Sequence, residues 1–83
     1  MFLLIWALNK DAPMHKDNFV QLYDTLPIAL EAAHCQIEDS QFEDVVFTPA
    51  TDFKFGYHDV IQAWISKHGE LLLIVKLEVR NDI

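Results

Sequence analysis

The sequence has few of the residues that break or cross-link a chain. Its 83 residues include two Gly, three Pro and one Cys. So little glycine and proline leaves scarce room for a disordered linker, and we expect residues 1–83 to form a single domain. The lone Cys35 excludes an intramolecular disulfide and a cysteine-rich metal site. It also favours a reducing compartment, and hence a cytoplasmic protein.

Long hydrophobic runs and glycine-rich loops are absent too. The longest apolar run, Phe2 to Leu8, is far shorter than the ~20 residues with which a helix crosses a bilayer, so no membrane span is expected. Gly56 and Gly69 stand far apart in the sequence, which argues against a phosphate-binding loop and the usual kinds of nucleotide binding. No cofactor is expected.

Basic residues are scarce and are missing from the middle of the chain. Six Lys and Arg stand against thirteen Asp and Glu, which gives a formal net charge of −7. No base lies between Lys16 and Lys54, and this interval holds Asp17, Asp24, Glu31, Glu38, Asp39, Glu43, Asp44 and Asp52. A negative surface disfavours nucleic acid and anionic lipid and favours a protein partner with a basic surface.

Hydrophobic periodicity predicts strands at both ends of the chain. The continuous apolar run Phe2–Leu8 is typical of a strand buried on both faces, and Phe19–Tyr23 predicts a second strand antiparallel to it. Val45–Thr48 predicts a short strand ahead of Pro49. In Glu70–Arg80 every second position is apolar, while the positions between them change from apolar to charged along the segment. This pattern predicts a last strand that is central at its start and half solvated at its end.

A helix is predicted between the second and third strands. Asp24 or Thr25 can cap it, Pro27 suits its first turn, and it should end near Glu38. At 100° per residue one stripe faces the sheet and consists of Leu26, Ala29, Leu30, Ala33 and Ile37. A polar face holds Pro27, Glu31, His34 and Glu38, while Ile28 and Cys35 project away from the sheet as a small apolar ridge.

Residues 60–69 fit two patterns. A helix capped by Asp59 and ended by Gly69 is one, and a strand followed by a turn with Gly69 in the left-handed position is the other. We favour the strand because the segment is rich in β-branched residues and gives the last strand a partner. The predicted fold is α+β, with the order β-β-α-β-β-β, a mainly antiparallel sheet and one helix on one face. The alternative order is β-β-α-β-α-β.

His34 and Cys35, set among carboxylates, raise the question of a metal or catalytic site. Adjacent helical residues point about 100° apart, so these two cannot share one metal ion. Glu31, His34 and Glu38 do share a face, but sites of the Glu-x-x-His type draw ligands from several helices. A solvated polar face is the simpler interpretation, and loop polarity likewise accounts for His58 beside Asp59. No catalytic, cofactor-binding or metal-binding residue is therefore predicted.

Three alternating aromatic residues, Phe53, Phe55 and Tyr57, lie in a long connection after Pro49. In one interpretation they close one end of the core or form an edge strand. In the other they are exposed anchors for a protein partner.

Together these features predict a non-enzymatic acidic module that binds a basic surface of another protein. The predicted contact residues are Glu31, Glu38, Asp39, Glu43, Asp44, Phe53, Phe55 and Tyr57. In a narrower version the carboxylates imitate DNA phosphates and inhibit a nucleic-acid-binding protein. One alternative is a structural homodimer or a subunit of a larger assembly, formed through sheet edges or through the Ile28 and Cys35 ridge. Another is a small metal-binding protein or enzyme that uses His34 with Glu31 and Glu38.

Overall fold

The computed structural model describes residues 1–7 and 19–77 and has the predicted α+β fold. One antiparallel sheet of five strands carries a single helix. The elements are β1 (Phe2–Ala7), β2 (Phe19–Tyr23), α1 (Leu26–Gln41), β3 (Phe47–Ala50), β4 (Asp59–Ser66) and β5 (Leu71–Lys76). The order β-β-α-β-β-β is confirmed, and residues 60–66 form a strand rather than a helix. Leu8, Asp17 and the predicted extension of the last strand over 78–80 lie outside the described residues.

The helix connects the two edges of the sheet. The strand order is β2-β1-β5-β4-β3, so β2 and β3 are the edge strands, and the antiparallel pairings make them run in the same direction. The 16 residues of α1 return against that direction and measure about 24 Å, enough to cross four strand spacings of about 4.8 Å. The helix therefore ends at the end of the sheet that carries the β4–β5 turn, which we call the turn end. The opposite end carries loop 51–58 and is called the loop end.

Each face of the sheet has its own hydrophobic cluster. On the helix side the buried residues are Leu4, Ala29, Ala33, Phe47, Trp64, Leu72 and Ile74. On the other side they are Ile5, Ala7, Ala63, Leu71, Leu73 and Val75. The predicted stripe of α1 is confirmed, because Ala29 and Ala33 are fully buried and Leu26, Leu30 and Ile37 pack beside them. β5 is thus central in the sheet and buried on both faces.

The β4–β5 turn forms as the sequence predicts. Gly69 has a φ of 83°, and its N–H donates to the carbonyl of Ser66 at 3.1 Å. The Ser66 hydroxyl also accepts the N–H of Glu70 at 3.1 Å. A type I turn followed by a left-handed residue is a standard three-residue hairpin connection. Its third residue needs a positive φ, which glycine adopts without strain.

The end of α1 differs from the prediction. The helix continues past Glu38 to Gln41, because Ser40 is buried and its hydroxyl donates to the carbonyl of Gln36 at 2.8 Å instead of ending the helix. Two backbone hydrogen bonds then end the helix: the Asp44 N–H donates to the carbonyl of Gln41 at 3.2 Å, and the Val45 N–H donates to the carbonyl of Ser40 at 3.0 Å. This bond pair, with Asp44 at a φ of 61°, is a Schellman motif.

Two other predicted boundaries also need correction. Thr25 is the N-cap, but its side chain makes no capping hydrogen bond, so the predicted side-chain cap is wrong and Pro27 alone has its expected role. The third strand begins at Phe47, two residues later than predicted, and continues through Pro49 to Ala50. Pro49 is tolerated there because β3 is an edge strand.

Replacing Asp44 with Gly should stabilise the protein. A non-glycine residue in the left-handed region is strained, and a carboxylate at a helix C-terminus opposes the helix dipole. We expect Asp44→Gly to raise the free energy of unfolding by about 0.5 to 1 kcal/mol, and Asp44→Asn, which removes only the charge, to raise it by less. Urea denaturation measures both. A destabilised Asp44→Gly variant would contradict the proposed cost of this residue.

Candidate functional site

Five of the predicted contact residues lie together on α1 and the turn that follows it. Glu31 and Glu38 are seven residues apart on one face of the helix, and Asp39 lies beside Glu38. Glu43 and Asp44 follow the helix end, and all five side chains are exposed. We call these five carboxylates the acidic surface.

Four carboxylates of the acidic surface lie at the negative end of the helix dipole, whereas Glu31 is in the N-terminal half of α1. α1 has no acidic residue in its first turn and no basic residue in its last turn. This arrangement is the reverse of the one that stabilises a helix, in which acids sit at the N-terminus and bases at the C-terminus. The carboxylates and the dipole therefore add to one negative field at the turn end of the molecule.

One cationic group lies close to this field. Lys67 and His68, in the β4–β5 turn, line a shallow cleft together with Asp44 and Val46. The other two lysines within residues 1–7 and 19–77 lie toward the loop end: Lys54 is in loop 51–58, and Lys76 is paired in register with Asp59. Lys67 therefore faces Asp44 at the margin, while none of the other four carboxylates lines this cleft.

The remaining acids of the base-free interval lie elsewhere. Asp24 precedes α1 and Asp52 follows β3, so both are at the loop end. Asp17 lies outside the described residues. The long acidic interval in the sequence thus corresponds to a more compact surface, centred on the C-terminal half of α1.

An apolar row that the sequence only partly predicts runs along the outer side of α1. Ile28 and Cys35 are exposed as expected, and Phe42 follows at the same spacing of seven residues, with 90% of its surface accessible. Ile28 is 51% exposed. We call these three residues the outer row. Phe42 was missed because the helix was expected to end at Glu38, although its spacing from Cys35 is a usable signal.

The outer row lies between acidic side chains. At 100° per residue, Glu31 and Glu38 fall on one flank of the row and Asp39 on the other. Exposed aromatic side chains with a polar rim are enriched at protein-binding surfaces.

The two histidines considered as chemical groups have structural contacts. The His34 ring meets Trp64 edge to face, with 5.8 Å between ring centroids and 72° between planes. The His58 ring lies 6.4 Å from that of Phe55. Among residues 1–7 and 19–77, no group of three or more His, Cys, Asp or Glu side chains is placed to hold a metal ion.

The three predicted aromatic anchors in loop 51–58 differ in their exposure to solvent. Phe53 and Phe55 are partly buried against the cluster on the face without the helix, so these two rings help to close the core. Tyr57 is fully exposed at the tip of a tight turn, in which Gly56 has a φ of 57° and His58 N–H donates to Phe55 at 3.0 Å. Glycine at the first central position suits a type II′ turn.

The structure does not bring the aromatic residues and the carboxylates into one site. Loop 51–58 packs on the face opposite α1, at the loop end, whereas the acidic surface is on the helix side at the turn end. The candidate functional site therefore consists of the acidic surface and the outer row.

Comparison with known proteins identifies no relative: no family model, no curated protein and no solved structure matches the chain. Within the part of the chain that the structure describes, α1 is too short and too polar to span a membrane.

Proposed function

We propose that this protein is a non-enzymatic interaction module that binds a basic surface of a partner protein through the acidic surface and the outer row. The observation that supports this most is the position of Phe42. An exposed aromatic ring lies at the end of a helix, in a segment whose carboxylates oppose the dipole of that same helix. Residues that are costly to the fold are expected where a surface has a function.

The two parts of the site have different roles in binding. The outer row supplies apolar area, and Phe42 is the anchor because aromatic side chains near the centre of an interface contribute most of the binding energy. The carboxylates attract a basic partner, raise the association rate and fix its orientation.

In a more specific form of the proposal, the partner binds nucleic acid and is inhibited. The exposed carboxylates of the acidic surface, among them Glu31 and Glu38 on one face of α1, would then occupy the positions of DNA phosphates on the partner. The exposed, unpaired thiol of Cys35 is consistent with a cytoplasmic location.

Local charge removal tests the proposal. We expect the triple variant Glu38→Gln, Asp39→Asn, Glu43→Gln to lose most of the partner captured by the tagged wild-type protein from the cells that produce it. With the purified partner, the affinity should fall about tenfold, and wild-type binding should weaken steeply with added salt.

The matched control is Asp24→Asn, Asp52→Asn, Asp59→Asn, which changes the net charge by the same amount at the loop end. This control should bind like the wild type. Equal losses in the two triple variants, or a complex insensitive to salt, would show that the acidic surface is not the binding site.

A further inference from the structure

The two edges of the sheet differ in the backbone groups that they offer to another strand. Along a strand, the N–H and C=O groups of alternate residues point to opposite sides. Leu77 N–H donates to the carbonyl of Met1 at 3.0 Å, so Met1 directs its backbone groups toward β5. Phe2, the next residue, must therefore direct its groups toward β2.

On β2, two residues direct their backbone groups away from the sheet. The register places Tyr23, Gln21 and Phe19 opposite the β1 residues that bond to β2, so these three are already paired. Val20 and Leu22 consequently point their N–H and C=O groups outward. Their side chains are 51% and 49% exposed, on the face without the helix.

The outer edge of β3 lacks a backbone N–H donor that a pairing strand would need, whereas the outer edge of β2 lacks none. Ser66 N–H donates to the carbonyl of Glu70 at 3.0 Å, so Ser66 bonds to β5 and its neighbour Ile65 bonds to β3, opposite Thr48. The following residue, Pro49, directs its backbone outward and has no N–H to donate. β2 contains neither proline nor a charged residue, and its pairing with β1 has no bulge, so it lacks the usual features that prevent edge pairing.

We propose that β2 pairs antiparallel with β2 of a second copy of this chain, forming a two-fold symmetric dimer with a continuous sheet. The strand is complementary to itself. With Gln21 of both copies on the two-fold axis, Val20 of each copy opposes Leu22 of the other, and each such pair exchanges two N–H···O=C bonds. On the helix side, Phe19 of each copy opposes Tyr23 of the other.

Other registers satisfy fewer of these groups. A shift by two residues places either Val20 opposite Asp24 or Leu22 opposite Asn18, so one apolar pair is lost in each case. The central register is therefore the one in which all outward groups of both strands pair.

The dimer is expected to be weak and to respond to salt. A five-residue edge buries less than the ~1,200 Å² typical of stable interfaces, so a dissociation constant on the order of 100 µM is expected. Each copy has a formal charge of −7, and salt that screens the repulsion should strengthen the dimer. The complex with a basic partner should respond in the opposite way.

Sedimentation of the full chain from about 10 µM to about 1 mM tests the dimer. The wild type should shift from monomer to dimer, and the amides of Val20 and Leu22 should gain protection from hydrogen exchange as concentration rises, while Gln21 stays protected throughout. Leu22→Pro removes one outward N–H without touching the bonds to β1 and should remain monomeric. Leu22→Val keeps that N–H and should still dimerise.

A second variant covers the case in which Leu22→Pro fails to fold. Val20→Lys lowers the net negative charge and so reduces the repulsion between two copies. If this variant does not dimerise, the cause is therefore the disrupted pairing at the β2 edge and not charge. A wild type that is monomeric at about 1 mM, or a dimer that persists in both folded variants, overturns the proposal. A dimer abolished by Phe42→Ala instead would place the contact on the outer row and would also overturn it. Failure of β2 pairing leaves binding to a basic partner unaffected.

Discussion

Phe42→Ala is expected to weaken the complex with the basic partner by about 30-fold, or about 2 kcal/mol. The ring is 90% exposed and contacts little of its own protein, so its removal should leave the free energy of unfolding nearly unchanged. Isothermal titration of the purified partner measures the affinity, and urea denaturation checks the fold.

Tyr57→Ala is the matched control for Phe42→Ala. Tyr57 is at least as exposed as Phe42 but lies in loop 51–58, at the loop end of the sheet. The Tyr57→Ala variant should bind the partner with the affinity of the wild type. If both alanine variants lose affinity equally, the contact extends beyond α1, and if neither does, the outer row has no part in binding.

Ile74→Ala should lower the free energy of unfolding by about 3 to 4 kcal/mol. Ile74 is fully buried in the central strand β5, beneath α1, and truncation there removes apolar contacts and leaves a cavity. A domain of 83 residues has a total stability of about 4 to 12 kcal/mol, so this single change removes a large part of it. Urea denaturation followed by circular dichroism measures the loss.

Ile28→Ala makes the same chemical change at an exposed position. Ile28 is on the outer row, and alanine has a higher helix propensity, so the free energy of unfolding should change by no more than about 0.5 kcal/mol. Comparable losses at the two positions would mean that the burial of β5 does not dominate stability.

The fold was predictable where one local signal and the overall pattern agreed. The stripe of α1 follows from the spacing of its apolar residues, and Ala33 is buried as that spacing requires. The β4–β5 turn follows from Gly69, since few other residues adopt its backbone angle.

The site was harder to predict because its boundaries depend on tertiary contacts. Ser40 suggests a helix end, but its burial and its bond to Gln36 carry the helix on to Gln41. The actual end uses Asp44 in the left-handed region, where the sequence has no glycine to mark it. The spacing of seven residues from Cys35 is the one local signal that places Phe42 on the outer side of α1, and it applies only once the helix is known to continue to Gln41.

For loop 51–58 the sequence pattern allowed two interpretations, of which closure of the core end or an edge strand was favoured over exposed anchors. Alternation places Phe53, Phe55 and Tyr57 on the same side of an extended chain, yet the turn at Gly56 reverses the chain between the last two. Two rings therefore pack against the sheet and the third points to solvent. Periodicity cannot show which turn a loop adopts.

The position of β5 in the sheet constrains when the sheet can assemble during synthesis of the chain. This strand is the last one described along the chain, yet it lies between β1 and β4 and pairs with both. During synthesis the two hairpin-like halves cannot join until residues 71–76 have left the ribosome. Until then each half exposes an unpaired apolar edge, and pairing with other chains competes with folding.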